Sequence, residues 1–171
     1  AVLVSPTASG KSLIIYYIIR KMIEENKRVL LIVPTTSLVE QMYKDFKDYG
    51  WDVDTNVQRK YYGYDIDENK PVVVSTWQSL ATFDKSFFEQ FNCVIGDEAH
   101  LYKSKELQKI LGACINAEYR IGTTGTLDDS KVHKLILEGL FGQVKYVVST
   151  KDLMDKGQLA DLKIECVVLK Y

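Results

Sequence analysis

Two short clusters carry the residue types that phosphate chemistry needs. Ser5-Pro6-Thr7-Ala8-Ser9-Gly10-Lys11-Ser12 follows the apolar run Val2-Leu3-Val4. Asp97-Glu98-Ala99-His100 follows a second apolar run, Cys93-Val94-Ile95. A turn between a buried strand and a helix aims several backbone N–H groups at one point, and the helix N-terminus adds partial positive charge. Gly10 lets the backbone approach a phosphate without a Cβ in the way. Lys11 can reach the β- and γ-phosphates of a nucleoside triphosphate, and the Ser12 hydroxyl can ligate Mg²⁺. Magnesium prefers a few carboxylates together with water and phosphate oxygens. Asp97, at a strand end, is its expected protein partner. Glu98 can orient and deprotonate an attacking water, and His100 can relay nucleotide state to a neighbouring loop. The only other histidine, His133, lies in a polar stretch and receives no role.

Elements must position these groups, and the chain alternates strand and helix signals. Strands are expected at Val2–Val4, Arg28–Val33, Trp51–Val57, Val72–Ser75, Cys93–Asp97, Tyr119–Thr123, Val144–Val148 and Leu162–Lys170. Helices are expected at Lys11–Glu25, Asp84–Gln90, Ser104–Cys114, Lys131–Leu140 and Thr150–Lys156. The first helix is apolar nearly all round, which predicts burial against a sheet. Another opens at Ser37, with Glu40 three residues on as a capping box, and ends at Gly50. The segment from Arg59 to Lys70 is polar and tyrosine-rich, as a loop or hairpin would be. This alternation predicts an α/β fold with a parallel sheet covered on both faces and ligands at the carboxyl ends of its strands.

The chain has 171 residues, 46% of them hydrophobic and 26% charged, with a formal net charge of −1. That suits one soluble domain with a full core and announces no basic field for nucleic acid. No apolar run is long enough to span a bilayer, so no membrane partner is expected. Cys93, Cys114 and Cys166 lack metal-binding spacing and read as buried, reduced thiols of a cytoplasmic protein. Pro34-Thr35-Thr36 and Ser75-Thr76 put hydroxyls and N–H groups at strand ends, where they could hold phosphates but where threonines more often cap helices and turns. Gln41, Gln78, Lys44 and Lys47 could add polar contacts. Tyr61, Tyr62 and Tyr64 could stack on bases or simply pack.

Asp97-Glu98-Ala99-His100 spells DEAH, and the chain resembles the first lobe of superfamily-two DEAD/DEAH-box helicases. Pro34 through Gln41 resembles that family's motif Ia, Ser75-Thr76-Trp77-Gln78-Ser79-Leu80 its motif Ic, and Thr124-Gly125-Thr126 its motif III. Leu140-Phe141-Gly142, Thr150 through Leu153 and Gly157-Gln158-Leu159 resemble the tail of this lobe in the XPB- and RecG-like branch. The sequence departs from the pattern at Ser5, where glycine is usual, at Ala8-Ser9, where glycine is common, and at Gly96, where a bulkier residue is usual. No glutamine-bearing adenine motif is visible.

The resemblance implies a RecA-like P-loop three-layer sandwich with a mostly parallel sheet over residues 1–171. It implies ATP and Mg²⁺ as cofactors, and DNA, single-stranded or branched, as partner. Pro34, Thr35, Thr36, Gln41, Thr76 and Gln78 become nucleic-acid contacts, and Thr124, Gly125 and Thr126 couple hydrolysis to movement. It further implies a second RecA-like lobe, expected beyond about residue 170, that supplies an arginine finger. The chain's four arginines, Arg20, Arg28, Arg59 and Arg120, sit in no finger-like motif. Two other readings use the same motifs: a duplex-translocase lobe of a restriction or remodelling enzyme, and a nucleotide switch or protein-moving ATPase.

Overall fold

Val29-Leu30-Leu31-Ile32-Val33 has no polar face, and all five residues are buried, as in a strand covered on both sides. The computed structural model describes residues 1–6, 9–61, 69–127 and 131–157. Its elements run β1 (Val2–Val4), α1 (Lys11–Glu24), β2 (Val29–Val33), α2 (Thr36–Asp48), α3 (Val53–Asn56), β3 (Val57–Lys60) and β4 (Val72–Thr76). Then come α4 (Trp77–Leu80), α5 (Lys85–Phe88), β5 (Cys93–Gly96), α6 (Lys105–Ala113), β6 (Tyr119–Thr124), α7 (Lys131–Phe141), β7 (Val144–Tyr146) and α8 (Thr150–Asp155). Among the described residues seven strands form one sheet in the order β3-β4-β2-β5-β6-β1-β7. Every pairing is parallel, where the resemblance implied a mostly parallel sheet.

Alternate strand residues feed two cores. Leu30, Ile32, Val73 and Val94 pack with Leu80, Phe88, Leu107, Leu111 and Leu137 on one face. Val29, Leu31, Val33, Val74 and Ile95 pack with Ile15, Ile19, Val39, Met42 and Phe46 on the other. The result is three layers, helix–sheet–helix, as expected of strands that each recross to a parallel neighbour. Among the described residues no helix is long and apolar enough to cross a membrane.

Several local expectations are corrected. Helix α1 does bury one side against the sheet as expected, through Ile15, Tyr16, Ile19 and Met22, while Leu13 is 37% and Tyr17 64% exposed. Tertiary packing gives α1 one wet stripe although that stripe is apolar. Helix α2 is capped by Thr35, whose side chain accepts from the Leu38 N–H at 3.3 Å, and not by Ser37. Glu40 is therefore not a capping-box partner. It accepts from Arg59 at 2.6 Å and from the Tyr61 hydroxyl at 2.6 Å. The expected strand Trp51–Val57 is instead the short α3, capped by Asp52 through the Thr55 N–H, with β3 beginning only at Val57. His133 is buried, at 4% exposure, despite its polar neighbours. Cys93 and Cys114 are buried as expected, and burial pushes both thiols up to about 12. Cys166, the strand at Leu162–Lys170, Gln158-Leu159, Tyr62 and Tyr64 lie outside the described residues.

Phe46 is fully buried, with ring centroids 5.8 Å from Tyr16 and 6.0 Å from Trp51. Phe46→Ala should cost about 3–5 kcal/mol of stability. Urea unfolding should show this as a lower midpoint with an unchanged slope.

Candidate active site

The strand order places β6 between β5 and β1. The two phosphate-chemistry clusters therefore leave the sheet two strand spacings apart, roughly 10 Å. Lys11 closes that gap. Its ammonium donates to Glu98 Oε1 at 2.7 Å and lies 3.3 Å from Asp97 Oδ1. Burial works against the Lys11 charge, but the hydrogen bond to Glu98 and the negative charges of Asp97 and Glu98 outweigh it and hold its pKa above the ordinary range. Asp97 is 3% exposed, and a carboxylate so buried calls for a close partner such as this ammonium.

The phosphate-loop segment is tied to the same place. The Ser5 N–H donates to the Thr124 carbonyl at 2.9 Å, extending the β1–β6 pairing by one residue. Ser5 is buried, and its hydroxyl meets that of Ser9 at 2.5 Å. Pro6 accepts from the Ser9 N–H at 3.2 Å. Thr7 and Ala8 lie outside the described residues. Gly10, the N-cap of α1, has φ of 77°, a left-handed backbone that glycine tolerates and a side chain resists. Among the described residues no side chain caps α1. The Ser12 hydroxyl is not aimed at Asp97; it meets the Tyr49 hydroxyl at 2.8 Å.

Strand β6 supplies the hydroxyls beneath the Lys11 bridge. Thr123 donates to Asp97 Oδ1 at 2.8 Å, and both side chains are buried. Thr124 donates to the Thr126 carbonyl at 2.7 Å. His100 Nδ1 lies 3.0 Å from the same Thr124 oxygen, and 3.3 Å from Glu98 Oε2. A threonine hydroxyl has one proton to give, so Nδ1 of His100 must carry the proton and donate to Thr124. Glu98 itself has φ of 50°, uncommon for a residue with a side chain. That turn lets one carboxylate face both Lys11 and His100.

Sequence reasoning missed Thr123. The signal lay in the alternation of β6: a threonine directly before Thr124 must point to the opposite side of the strand, and both sides carry a partner. It also missed the floor on which the Asp97–His100 turn rests. Gly96 and Gly122 are register partners on β5 and β6. A Cβ on Gly122 would stand 2.9 Å from Cβ of Ala99. The short 3-10 turn Ala99–Leu101 lies directly on the sheet because no side chain intervenes.

The other expected site residues are not joined to this network by hydrogen bonds. Pro34-Thr35-Thr36 and Thr76-Trp77-Gln78 share the same sheet edge, since Val33 and Thr76 are register partners. Thr35, Thr36, Gln41 and Gln78 are exposed, as are Lys44 and Lys47. Thr76 is buried, and its hydroxyl caps α4 by accepting from the Ser79 N–H at 3.4 Å. The Tyr61 hydroxyl is spent on Glu40 and its ring packs against the core, so it serves structure. Gly125 follows β6 without a described side-chain role.

Residues 1–129 match the sequence family described as type III restriction enzyme, res subunit. The ATP-dependent DNA helicase uvsW of enterobacteria phage T4 is 36% identical over 97% of this chain. The chain spans about a third of that relative, 34% of its length. The crystal structure of the UvsW helicase from bacteriophage T4 superposes with a TM-score of 0.76 at 32% identity, covering 85% of this chain and 53% of that one. The Hef helicase domain of Pyrococcus furiosus gives the same TM-score, 0.76, at 20% identity over 90% of this chain and 36% of that one, a likeness of fold. The shared architecture is the RecA-like three-layer sandwich.

Thr123→Val keeps the shape and removes the hydroxyl that Asp97 accepts from. Losing a buried hydrogen bond to a charged group should cost about 1.5–3 kcal/mol. Chemical denaturation of the two proteins at pH 7 should show the deficit as a lower midpoint.

Proposed function

The chain belongs to the family described as type III restriction enzyme, res subunit, and from that premise we propose that it is the ATP-binding lobe of a superfamily-two DNA helicase. The observation that carries the reading is the contact of Lys11 with both Asp97 and Glu98, with His100 and Thr124 linked behind Glu98. A phosphate donor, a metal carboxylate, a base and a relay meet at one sheet edge.

ATP would lie with its β- and γ-phosphates against Lys11 and the first N–H groups of α1. Lys11 then exchanges a carboxylate for a phosphate, and Glu98 is released to take a proton from the attacking water. Ser12 and Asp97 offer hard oxygens, a hydroxyl and one carboxylate, which fits Mg²⁺. Bound there, Mg²⁺ would neutralise charge on the phosphates. Ser12 has to leave Tyr49 to reach it. His100, pinned to Thr124 and Glu98, senses whether Glu98 faces Lys11 or the water. Through Thr124 and Thr126 it passes that state to the loop after β6.

Charge on the transferring phosphoryl group needs a further cation, typically an arginine worth about 10³–10⁵ in rate. Each arginine of this chain is engaged elsewhere. Arg20 lies over Trp51 at 5.5 Å, Arg28 donates to the Lys70 carbonyl at 3.2 Å, Arg59 pairs with Glu40 at 2.6 Å, and Arg120 donates to the Cys114 carbonyl at 3.1 Å. A second RecA-like lobe is the proposed source. DNA, single-stranded or branched, would lie along Pro34, Thr35, Thr36, Gln41 and Gln78, with Thr76 contributing backbone, since its hydroxyl is committed to capping. The name of the matching family favours a second reading, translocation along duplex DNA by a restriction enzyme. Strand-displacement and duplex-translocation assays separate the two.

The test is titration of a fluorescent ATP analogue into wild type, Lys11→Ala and Glu98→Gln. Lys11→Ala should bind at least about tenfold more weakly, the loss expected for one charge-assisted contact. Equal affinity would refute the phosphate site. Glu98→Gln should bind normally but, with the second lobe supplied, hydrolyse ATP about a hundredfold or more slowly. Near-normal turnover would move the base elsewhere.

A further inference from the structure

Tyr102 takes no part in the chemistry above, yet it is the largest side chain in the core that is almost wholly enclosed, at 1% exposure. Among the described residues its hydroxyl has no hydrogen-bond partner. Burying a hydroxyl unpaired is destabilising. Phenylalanine would fill the same space without that cost, so the oxygen needs a reason.

The position of the oxygen supplies one. The ring packs edge-on against Phe141, with centroids 5.1 Å apart. Its far end lies against the backbone of Gly96, where a Cβ would stand 2.6 Å from both Cζ and the hydroxyl oxygen. Gly96 immediately precedes Asp97, so any side chain there would drive the phenol out. Tyr102 and Asp97 also line one small cavity of about 10 Å³, together with Pro34 and Trp77. Burial raises the phenol's pKa, and the Asp97 charge adds to the rise.

In the structure Asp97 Oδ1 is served by Thr123 at 2.8 Å and by Lys11 at 3.3 Å. When Lys11 turns to a phosphate, the buried carboxylate loses its cation and one of its two partners. We propose that the Tyr102 hydroxyl then donates to Asp97, making Tyr102 a positioning residue that orients the carboxylate toward the metal of the nucleotide complex. This rests on the reading of Lys11 and Asp97 given above. A carboxylate held by Thr123 on one side and Tyr102 on another cannot rotate, and one lone pair stays aimed outward. The contribution belongs to the metal-loaded state, because before nucleotide arrives Lys11 already satisfies Asp97.

Tyr102→Phe and Asp97→Asn in this chain, each titrated with a fluorescent ATP analogue in Mg²⁺ and in EDTA and each melted thermally, test it. Tyr102→Phe should melt at or above the wild-type temperature, because it removes an unpaired buried hydroxyl. Its affinity in EDTA should stay within about twofold of wild type, while the gain on adding Mg²⁺ should fall about tenfold, the loss of one hydrogen bond to a charged group. Asp97→Asn should lose the gain altogether. An intact Mg²⁺ gain in Tyr102→Phe, with the gain abolished in Asp97→Asn, overturns the inference alone. Equal weakening of Tyr102→Phe in Mg²⁺ and EDTA, with a lower melting temperature, also overturns it and marks a packing role. A full Mg²⁺ gain in Asp97→Asn overturns the metal-site reading and this inference with it.

Discussion

Two adjacent carboxylates at the end of a buried strand repel one another and lose water together, so they need a cation within reach. Lys11 is that cation, 3.3 Å from Asp97 and 2.7 Å from Glu98. Much of the sheet order follows from keeping this contact possible. The lysine leaves from β1 and the carboxylates from β5, and β6 runs between them. A strand so placed must present its end directly beneath the bridge. Its two consecutive threonines therefore divide the work by alternation, Thr123 toward Asp97 and Thr124 toward His100. The same strand accepts the Ser5 N–H through the Thr124 carbonyl. The loop on one side and the acidic turn on the other thus share a single support.

The support works only because the sheet is bare where the turn crosses it. Gly96 and Gly122 face each other in register, and Ala99 and Tyr102 lie on them. Glycine in a strand interior usually weakens it and often marks a close approach of other chain. Here the close approach is the turn carrying His100. A methyl group at either glycine would lift that turn, lengthen the 3.0 Å contact between His100 and Thr124, and break the path from Glu98 to the loop after β6. Gly96 departs from its family's usual bulk because Tyr102 occupies the volume that a side chain would need.

The parts legible in the sequence are those whose signal is local. Apolar runs of three to five residues marked β1, β2, β4 and β5, whereas β3, with the sequence Val-Gln-Arg-Lys, carries no such run and extends into the segment expected to be a loop; the residue types of Ser5–Ser12 and Asp97–His100 suggested the chemistry. Strand pairing is not local, and so Thr123 stayed hidden: its partner is 26 residues away, across the crossover through α6 that joins β5 to β6. Helix α3 is four residues long, too short to show a 3.6-residue period, although Asp52 ahead of it is a recognisable cap. Thr35 and Ser37 are both cap types, and what chooses between them is where β2 ends, which depends on its pairing with β4 through Thr76. The wet stripe of α1 was invisible for the opposite reason. Leu13 and Tyr17 are apolar, and only the placement of neighbouring helices decides which side of α1 faces the sheet.

The groups around Lys11 form a chain of pairs, and on the proposed reading the exchange of one partner would make that chain a switch. Lys11 satisfies Glu98, Glu98 also faces His100, and His100 donates to Thr124, so each group already has its partner. On the proposed reading an incoming phosphate would be the stronger partner for Lys11, because it carries more charge and would meet the first N–H groups of α1 as well. Taking Lys11 would leave two carboxylates without their neighbouring cation. Asp97, deeply buried, would then depend on a metal and on its neighbouring hydroxyl. Glu98, at a left-handed backbone and partly exposed, would be able to face water. The same event would then create the proposed base and alter the contact to His100, so one exchange of partners would suffice to link hydrolysis to the loop beyond β6.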